Sequence, residues 1–215
     1  MSQEIELKVP VSQEQFNSIY QKIYVEKNHE NIIILESSTD KISKSDEYFT
    51  RYNSREEMIK YNEPQVIRIR TEIINGKKQS YFTIKRKTLE NGIEVNKEDE
   101  TFLENDEALR ILFEEAGYKR WFYKEKTSYS SYCALEEGAG QTRFHLELVT
   151  VNGMNYVEVE LVINDDEAEA KAGVKIKKPE ANLKAELEKF IIALGLNPAD
   201  KDPRSWYQII SENNH

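Results

Sequence analysis

One cysteine, Cys133, and three histidines, His29, His145 and His215, are all that 215 residues supply of thiol and imidazole. A lone cysteine excludes an internal disulfide and a cysteine zinc cluster, and so few histidines leave histidine-rich metal sites and serine–histidine triads poorly supplied. Long apolar runs are missing as well. No segment approaches the ~20 residues that span a bilayer, and the N-terminus has no basic stretch followed by an apolar one, so no secretory leader is expected. Positive charge is not in surplus: 30 Lys and Arg against 39 Asp and Glu give a net charge of −9. General affinity for nucleic acid or an anionic membrane is therefore not expected. The glycine-rich loop that cradles phosphate in P-loop proteins is absent too. The expected setting is a reducing cytoplasm.

What remains is globular and rather polar, 39% hydrophobic and 32% charged. Three apolar stripes have helical spacing. Phe16, Ile19, Tyr20 and Ile23 form the first, with Ser12 and Gln15 placed for a capping box. Leu109, Leu112, Phe113 and Ala116 form the second, between Asn105 or Asp106 and Gly117. Leu183, Leu187, Phe190, Ile191 and Leu194 form the third, with Pro179 before it and Gly195 after it. "PRSWYQIIS" reads as a short closing helix. Most other segments alternate with period two: "VIRIRTEI", "SYFTIKRK", "RWFYKEKTSY", "TRFHLELVTV" and "NYVEVELVI". Turns such as "NGKK" and "ENG" between them suit antiparallel hairpins. Residues 36–46, "ESSTDKISKSD", read as a loop. No linker or repeated unit divides the chain, which predicts a single α+β domain over residues 1–215.

The alternating segments carry charged doublets of one sign. "EIELKV" puts Glu4, Glu6 and Lys8 on one face and Ile5, Leu7 and Val9 on the other. Arg68 and Arg70, Lys85 and Lys87, Lys124 and Lys126, Glu98 and Glu100, and Glu158 and Glu160 repeat the i, i+2 pattern. Glu147 shares a face with His145. Any one doublet alone reads as a solvated sheet face. Doubling one sign along each of several strands does not, because like neighbours repel and mixed signs pair. A sheet closed into a barrel would instead bring acidic and basic strands to a common lumen. Internal ion-pair networks are the competing structural reading, and they are costly to bury without water or ligand. Carboxylates without histidine or cysteine suit a hard cation such as Mg²⁺ or Mn²⁺. Clustered Arg and Lys suit phosphate oxygens.

In its series "EIELK", "DEYF", "VIRIR", "FTIKRK", "NKEDE", "YKEK", "FHLELV" and "YVEVE", the chain resembles the CYTH family, the triphosphate tunnel metalloenzymes. The resemblance runs from "EIELK" to "SWYQII". It implies a closed antiparallel β-barrel of about eight strands with helices outside and a triphosphate in the lumen. It also implies Glu4, Glu6, Glu158 and Glu160 as ligands of Mg²⁺ or Mn²⁺. Lys8, Arg68, Arg70, Lys85, Lys87, Lys124 and Lys126 become phosphate ligands by the same comparison. Three departures stand out: Asn96 where an Arg leads the acidic pair Glu98 and Glu100, Glu147 where Asp is common, and Lys126 where Arg is common. Asp46 and Tyr48 match a motif whose role is either structural or substrate-contacting.

The activity implied is metal-dependent cleavage of a small-molecule triphosphate or nucleotide. Lys85 would assist, and Glu98, Glu100 or Glu147 would take a proton. Adenylyl cyclase chemistry is the alternative within the family, and a non-catalytic polyphosphate sensor lies outside it. Self-association as a homodimer is compatible with the sequence and not specified by it. His145 reads as a hydrogen-bonding wall residue. Trp121, Phe122 and Tyr123 read as core or rim, Trp206 and Tyr207 as part of a helix packed on the barrel, and Cys133 as a loop residue without a partner.

Overall fold

The computed structural model describes residues 2–64, 66–90, 93–136, 142–163 and 180–213. Its strands are β1 (Ser2–Pro10), β2 (Ile32–Ser37), β3 (Ile42–Thr50), β4 (Val66–Ile74), β5 (Lys77–Glu90), β6 (Ile93–Leu103), β7 (Lys119–Leu135), β8 (Phe144–Val151) and β9 (Met154–Ile163). Its helices are α1 (Gln13–Tyr20), α2 (Arg55–Lys60), α3 (Asp106–Glu115), α4 (Glu180–Ala193) and α5 (Trp206–Asn213). Eight strands close a ring in the order β7, β3, β4, β5, β6, β1, β9, β8 and back to β7, and β2 adds to β7 outside it. Every pairing is antiparallel. The result is an eight-stranded barrel with one extra strand and helices packed outside.

Tight turns follow from residues that accept positive φ. Asn75 and Gly76 (φ 51° and 77°) turn β4 into β5, and Asn152 and Gly153 (φ 49° and 78°) turn β8 into β9. Both Asn-Gly pairs suit the two-residue hairpin turn whose twist matches the strands. The turn expected at "ENG" falls on Asn91 and Gly92, and Pro179 precedes α4; these positions lie outside the described residues. Ser12 and Gln15 form the expected capping box at α1, with Gln15 N donating to Ser12 Oγ at 3.1 Å and Ser12 N to Gln15 Oε1 at 2.9 Å.

The apolar layer lies outside the barrel. Ile5, Leu7 and Val9 of β1 and Leu146, Leu148, Val157 and Val159 of β8 and β9 point outward. They meet Phe16, Ile19 and Ile23 from α1 and its continuation, and Leu187, Phe190 and Ile191 from α4. Each such side chain, fully buried, contributes roughly 1.5–3 kcal/mol. Smaller clusters set α5 on β8 and β9 through Ile209 and Ile210, and α3 on β3 and β4 through Phe113. With its outer faces covered by helices, the barrel can keep charge inside.

Three expectations are corrected. Residues 36–46 are not a continuous loop, because β2 runs to Ser37 and β3 starts at Ile42. Leu112 is not in the α3 stripe; it is exposed, and Leu109 and Phe113 make the contact with the barrel. Cys133 is not in a loop. It is a fully buried residue of β7, its sulfur 3.3 Å from Ser131 Oγ, and burial pushes its thiol up to about 11. No helix among the described residues is long and apolar enough to cross a membrane.

Candidate active site in the barrel lumen

Pairing register decides which side chains meet. Lys8 stands opposite Glu158 and Glu6 opposite Glu160, while Lys85 stands opposite Glu98 and Asp46 opposite Arg70 and Lys124. With Ile5, Leu7 and Val9 turned outward, these partners all project inward. They border a cavity of about 390 Å³. Its walls include Lys44, Arg68, Arg70, Lys85, Lys87, Lys124 and Lys126, and also Glu4, Glu6, Glu98, Glu100, Glu147, Glu158 and Glu160. Every residue expected from the sequence to hold metal, phosphate or a proton is there except Lys8. Lys8 points the same way but lies past the open volume, buried, its ammonium 3.7 Å from Glu94.

Strand order sorts these charges. The seven cations stand on β7, β3, β4 and β5, which are consecutive around the ring, and the seven carboxylates on β6, β1, β9 and β8. The lumen therefore has a basic half and an acidic half. Asp46 and Glu72 are acidic exceptions on the basic side.

At the seams the halves pair. Lys85 Nζ lies 2.8 Å from Glu4 Oε2 and 2.6 Å from Glu98 Oε2. Lys126 Nζ donates to Glu158 at 2.8 Å and Glu147 at 3.0 Å, and Lys44 reaches Glu147 at 2.5 Å. Lys87 donates to Glu94 at 2.7 Å, and Arg68 to Glu100 at 3.2 Å. Burial works against the charged form of Glu147, yet Lys126 and Lys44 outweigh it and hold the carboxyl well below the usual range. Glu158 is likewise held low by Lys126 against burial. Lys85 goes up, because Glu6, Glu4 and Glu98 outweigh its own desolvation.

Two carboxylates behave oppositely. Burial pushes Glu4 up to about 9, with Glu160 and Glu98 adding and Lys85 opposing. Glu6 rises through burial and through Glu94 and Glu158 beside it. Both are acids crowded by acids, and the lysines beside them offset that only in part. An all-oxygen set of crowded carboxylates has the donor chemistry of a hard-cation site. Among the described residues, no three acidic, histidine or cysteine side chains yet converge as metal ligands. Glu158 is turned instead to Lys126 and to Trp206, whose Nε1 donates to it at 2.7 Å. The donor chemistry fits Mg²⁺ or Mn²⁺.

Other expectations resolve individually. His145 is a wall residue, with Nε2 2.9 Å from Ser130 Oγ, Nδ1 3.4 Å from Glu160 Oε2 and its ring stacked on Tyr132. Tyr48 both packs and borders the lumen, 5.1 Å from the Phe122 ring with its hydroxyl donating to Asp46 at 3.4 Å. Trp206 does more than pack outside: it borders the lumen and carries the Lys124 ammonium 5.3 Å from its ring. Asn96, in the place of the absent Arg, is fully buried, and neither polar atom of its side chain has a hydrogen-bond partner among the described residues. Sequence reading missed Lys44, Glu72 and Glu94. Lys44 shares period-two spacing with Asp46 and Tyr48, a signal hidden by taking the segment as a loop.

No family model matches the sequence, and no curated protein matches it either. Solved structures do match the fold. The PH1819 protein of Pyrococcus horikoshii OT3 is similar with a TM-score of 0.65 and 20% identity, covering 98% of this chain and 99% of that one. A proposed adenylate cyclase of Vibrio parahaemolyticus gives 0.59 and 17%, with 97% of each chain covered. A Hippeastrum protein, proposed as an adenylyl cyclase and found to have a dominant triphosphatase activity, gives 0.57 and 13%, covering 99% of this chain and 96% of that one. The chain thus has the closed barrel fold expected from its resemblance to the CYTH family.

Proposed function

We propose that the lumen binds a triphosphate and cleaves it by metal-dependent phosphohydrolysis. The observation that carries this reading is the division of the lumen into seven cations on four consecutive strands and seven carboxylates on the other four. A polyanion bridged to a divalent cation is the ligand that uses both halves at once. Cations alone would suit any anion, and carboxylates alone any metal.

Arg68, Arg70, Lys85, Lys87, Lys124 and Lys126 are proposed to grip the phosphate chain, Arg as a planar fork and Lys as a point charge. Lys44 joins them from β3. Its own proton is loosened by burial even against Glu147 beside it. As phosphate enters, Lys44, Lys85 and Lys126 would exchange carboxylate partners for phosphate oxygens, which would free Glu4, Glu98, Glu147 and Glu158. Glu4, Glu6, Glu158 and Glu160 would hold Mg²⁺ or Mn²⁺. An ion held there would supply positive charge against developing phosphate charge and would lower the pKa of water. One of Glu98, Glu100 or Glu147 is proposed to accept the proton of the attacking water. The dominant triphosphatase activity of the Hippeastrum structure supports hydrolysis over cyclisation.

The test is product analysis with tripolyphosphate, nucleoside triphosphates and thiamine triphosphate in Mg²⁺ or Mn²⁺. Orthophosphate release is expected, abolished by chelator. Glu158→Gln should cut turnover on the order of 10²-fold while the protein stays folded. Full activity in chelated buffer would sink the mechanism. Cyclic nucleotide and pyrophosphate as main products would replace hydrolysis with cyclase chemistry.

A further inference from the structure

Trp206 opens α5, and its surroundings fix where the indole lies. Ser205 caps the helix, with Gln208 N donating to Ser205 Oγ at 3.3 Å and Ser205 N to Gln208 Oε1 at 2.9 Å. Just before the cap, Asp202 ties the chain to the barrel. Its N–H donates to Lys8 O of β1 at 2.9 Å, and its carboxylate accepts from the Tyr156 hydroxyl of β9 at 3.2 Å. Arg204 closes on the same carboxylate through Nε at 2.9 Å. After the cap, Ile209 and Ile210 are buried against β8 and β9. The indole itself meets the Tyr156 ring edge-on, centroids 4.9 Å apart. A side chain held at so many points has little freedom left, and this one borders the lumen.

We propose that Trp206 is a positioning residue for the lumen cation: its indole N–H holds the Glu158 carboxylate in the orientation in which it takes up Mg²⁺ or Mn²⁺. The inference rests on the reading of Glu158 as a metal ligand, and it makes the seating of α5 part of the site.

Two observations carry it. The first is how the two oxygens of Glu158 are shared. Trp206 Nε1 donates to Oε1 at 2.7 Å, and Lys126 Nζ to Oε2 at 2.8 Å. A divalent ion treats these donors differently. Lys126 is positive, so the ion repels it, and an incoming phosphate gives it another partner. Indole N–H is a neutral donor with no acceptor capacity. It stays bonded while the remaining lone pairs of the carboxylate face the ion. Carboxylate ligands held by such an outer hydrogen bond are a general feature of metal sites, and losing the outer partner weakens metal binding roughly 10–100-fold.

The second is what the ring face does. It carries the Lys124 ammonium at 5.3 Å, itself 3.1 Å from Asp46. One indole thus touches the acidic half by its N–H edge and the basic half by its face. The face needs only an aromatic ring, whereas the edge contact needs the N–H. The two contacts can therefore be separated by substitution.

Trp206→Phe keeps a ring for Tyr156 and Lys124 and removes the N–H. Mn²⁺ binding to the full chain, followed by the electron paramagnetic resonance of the free ion, should weaken about tenfold or more. Tripolyphosphate binding, measured by calorimetry in chelator, should stay within about twofold of the parent, because it uses the basic half. A second measurement leaves Trp206 in place. In Trp121→Phe it is the remaining one of the two tryptophans, and bound Mn²⁺, a paramagnetic ion, should quench its emission where Mg²⁺ does not. Unquenched emission with Mn²⁺ bound would overturn the assignment and leave the lumen reading in place. Unaltered Mn²⁺ affinity in Trp206→Phe, or an equal loss of Mn²⁺ and tripolyphosphate binding, would do the same. A parent chain that binds no Mn²⁺ would remove Glu158 as a metal ligand, and the role of Trp206 with it.

Discussion

Asp46 shows how a single carboxylate can organise the basic half of the lumen. It is fully buried, accepting from Arg70 Nε at 2.7 Å and Nη2 at 3.1 Å, with Lys124 at 3.1 Å and Arg68 Nη1 at 3.9 Å. Burial alone would raise its pKa, but Arg70, Lys124 and Arg68 outweigh that and hold it well below the usual aspartate range. Removing one partner of a buried charge group leaves the others uncompensated. Asp46→Asn should therefore cost ~3–5 kcal/mol near neutral pH, read as a lower urea midpoint. The sign with pH follows from linkage. A carboxyl whose folded pKa is depressed stabilises the fold fully above its unfolded value, and loses that stabilisation as pH falls towards the folded value. The gap between parent and Asp46→Asn should hold steady near neutrality and narrow below about pH 4. A gap that stays constant down to pH 3 would mean the Asp46 charge is not what binds the cluster.

At the scale of the element, local chemistry was legible wherever one face was apolar. α1 begins at the capping box of Ser12 and Gln15, and Ser12→Ala should lower stability by ~1 kcal/mol without touching the lumen. A thermal melt with phosphate-release kinetics checks this; lost turnover at full stability would tie α1 to the site in a way the packing does not. β1, β4 and β9 were equally readable, because outward Ile, Leu and Val alternate with inward charge. β3 was not. Its outward residues include Ser43, Ser45 and Glu47, so both faces are polar and the alternation carries no hydrophobic signal. Lys44 and its contact with Glu147 were hidden for that reason. Glu94 was missed although it shares a face with Glu98, because its lysine partners come from β1 and β5. The bond from Trp206 to Glu158 joins residues 48 apart, a contact that depends on the closed ring and not on any local pattern.

Over the whole molecule, the ring order converts six scattered doublet signals into two opposed half-walls. The cost of burying them is met by mutual pairing, and that pairing sets how the barrel should respond to a polyanion. Lys85 bridges Glu4 and Glu98, so Lys85→Ala brings three neighbouring carboxylates, Glu4, Glu6 and Glu98, together without their shared cation. The unliganded variant should therefore be less stable than the parent. Tripolyphosphate, held by the basic half of the folded barrel, should raise the parent's stability by about 2.7 kcal/mol at a hundredfold excess over Kd. That gain should shrink in Lys85→Ala, because one of the gripping cations is gone. Melts at matched ionic strength separate this from general screening, since sodium chloride screens the buried seam pairs only weakly and offers the basic half no chain of phosphates. Equal stabilisation of the two proteins by tripolyphosphate would take Lys85 out of the phosphate grip. Equal stability without ligand would mean that its two short contacts contribute nothing to the fold.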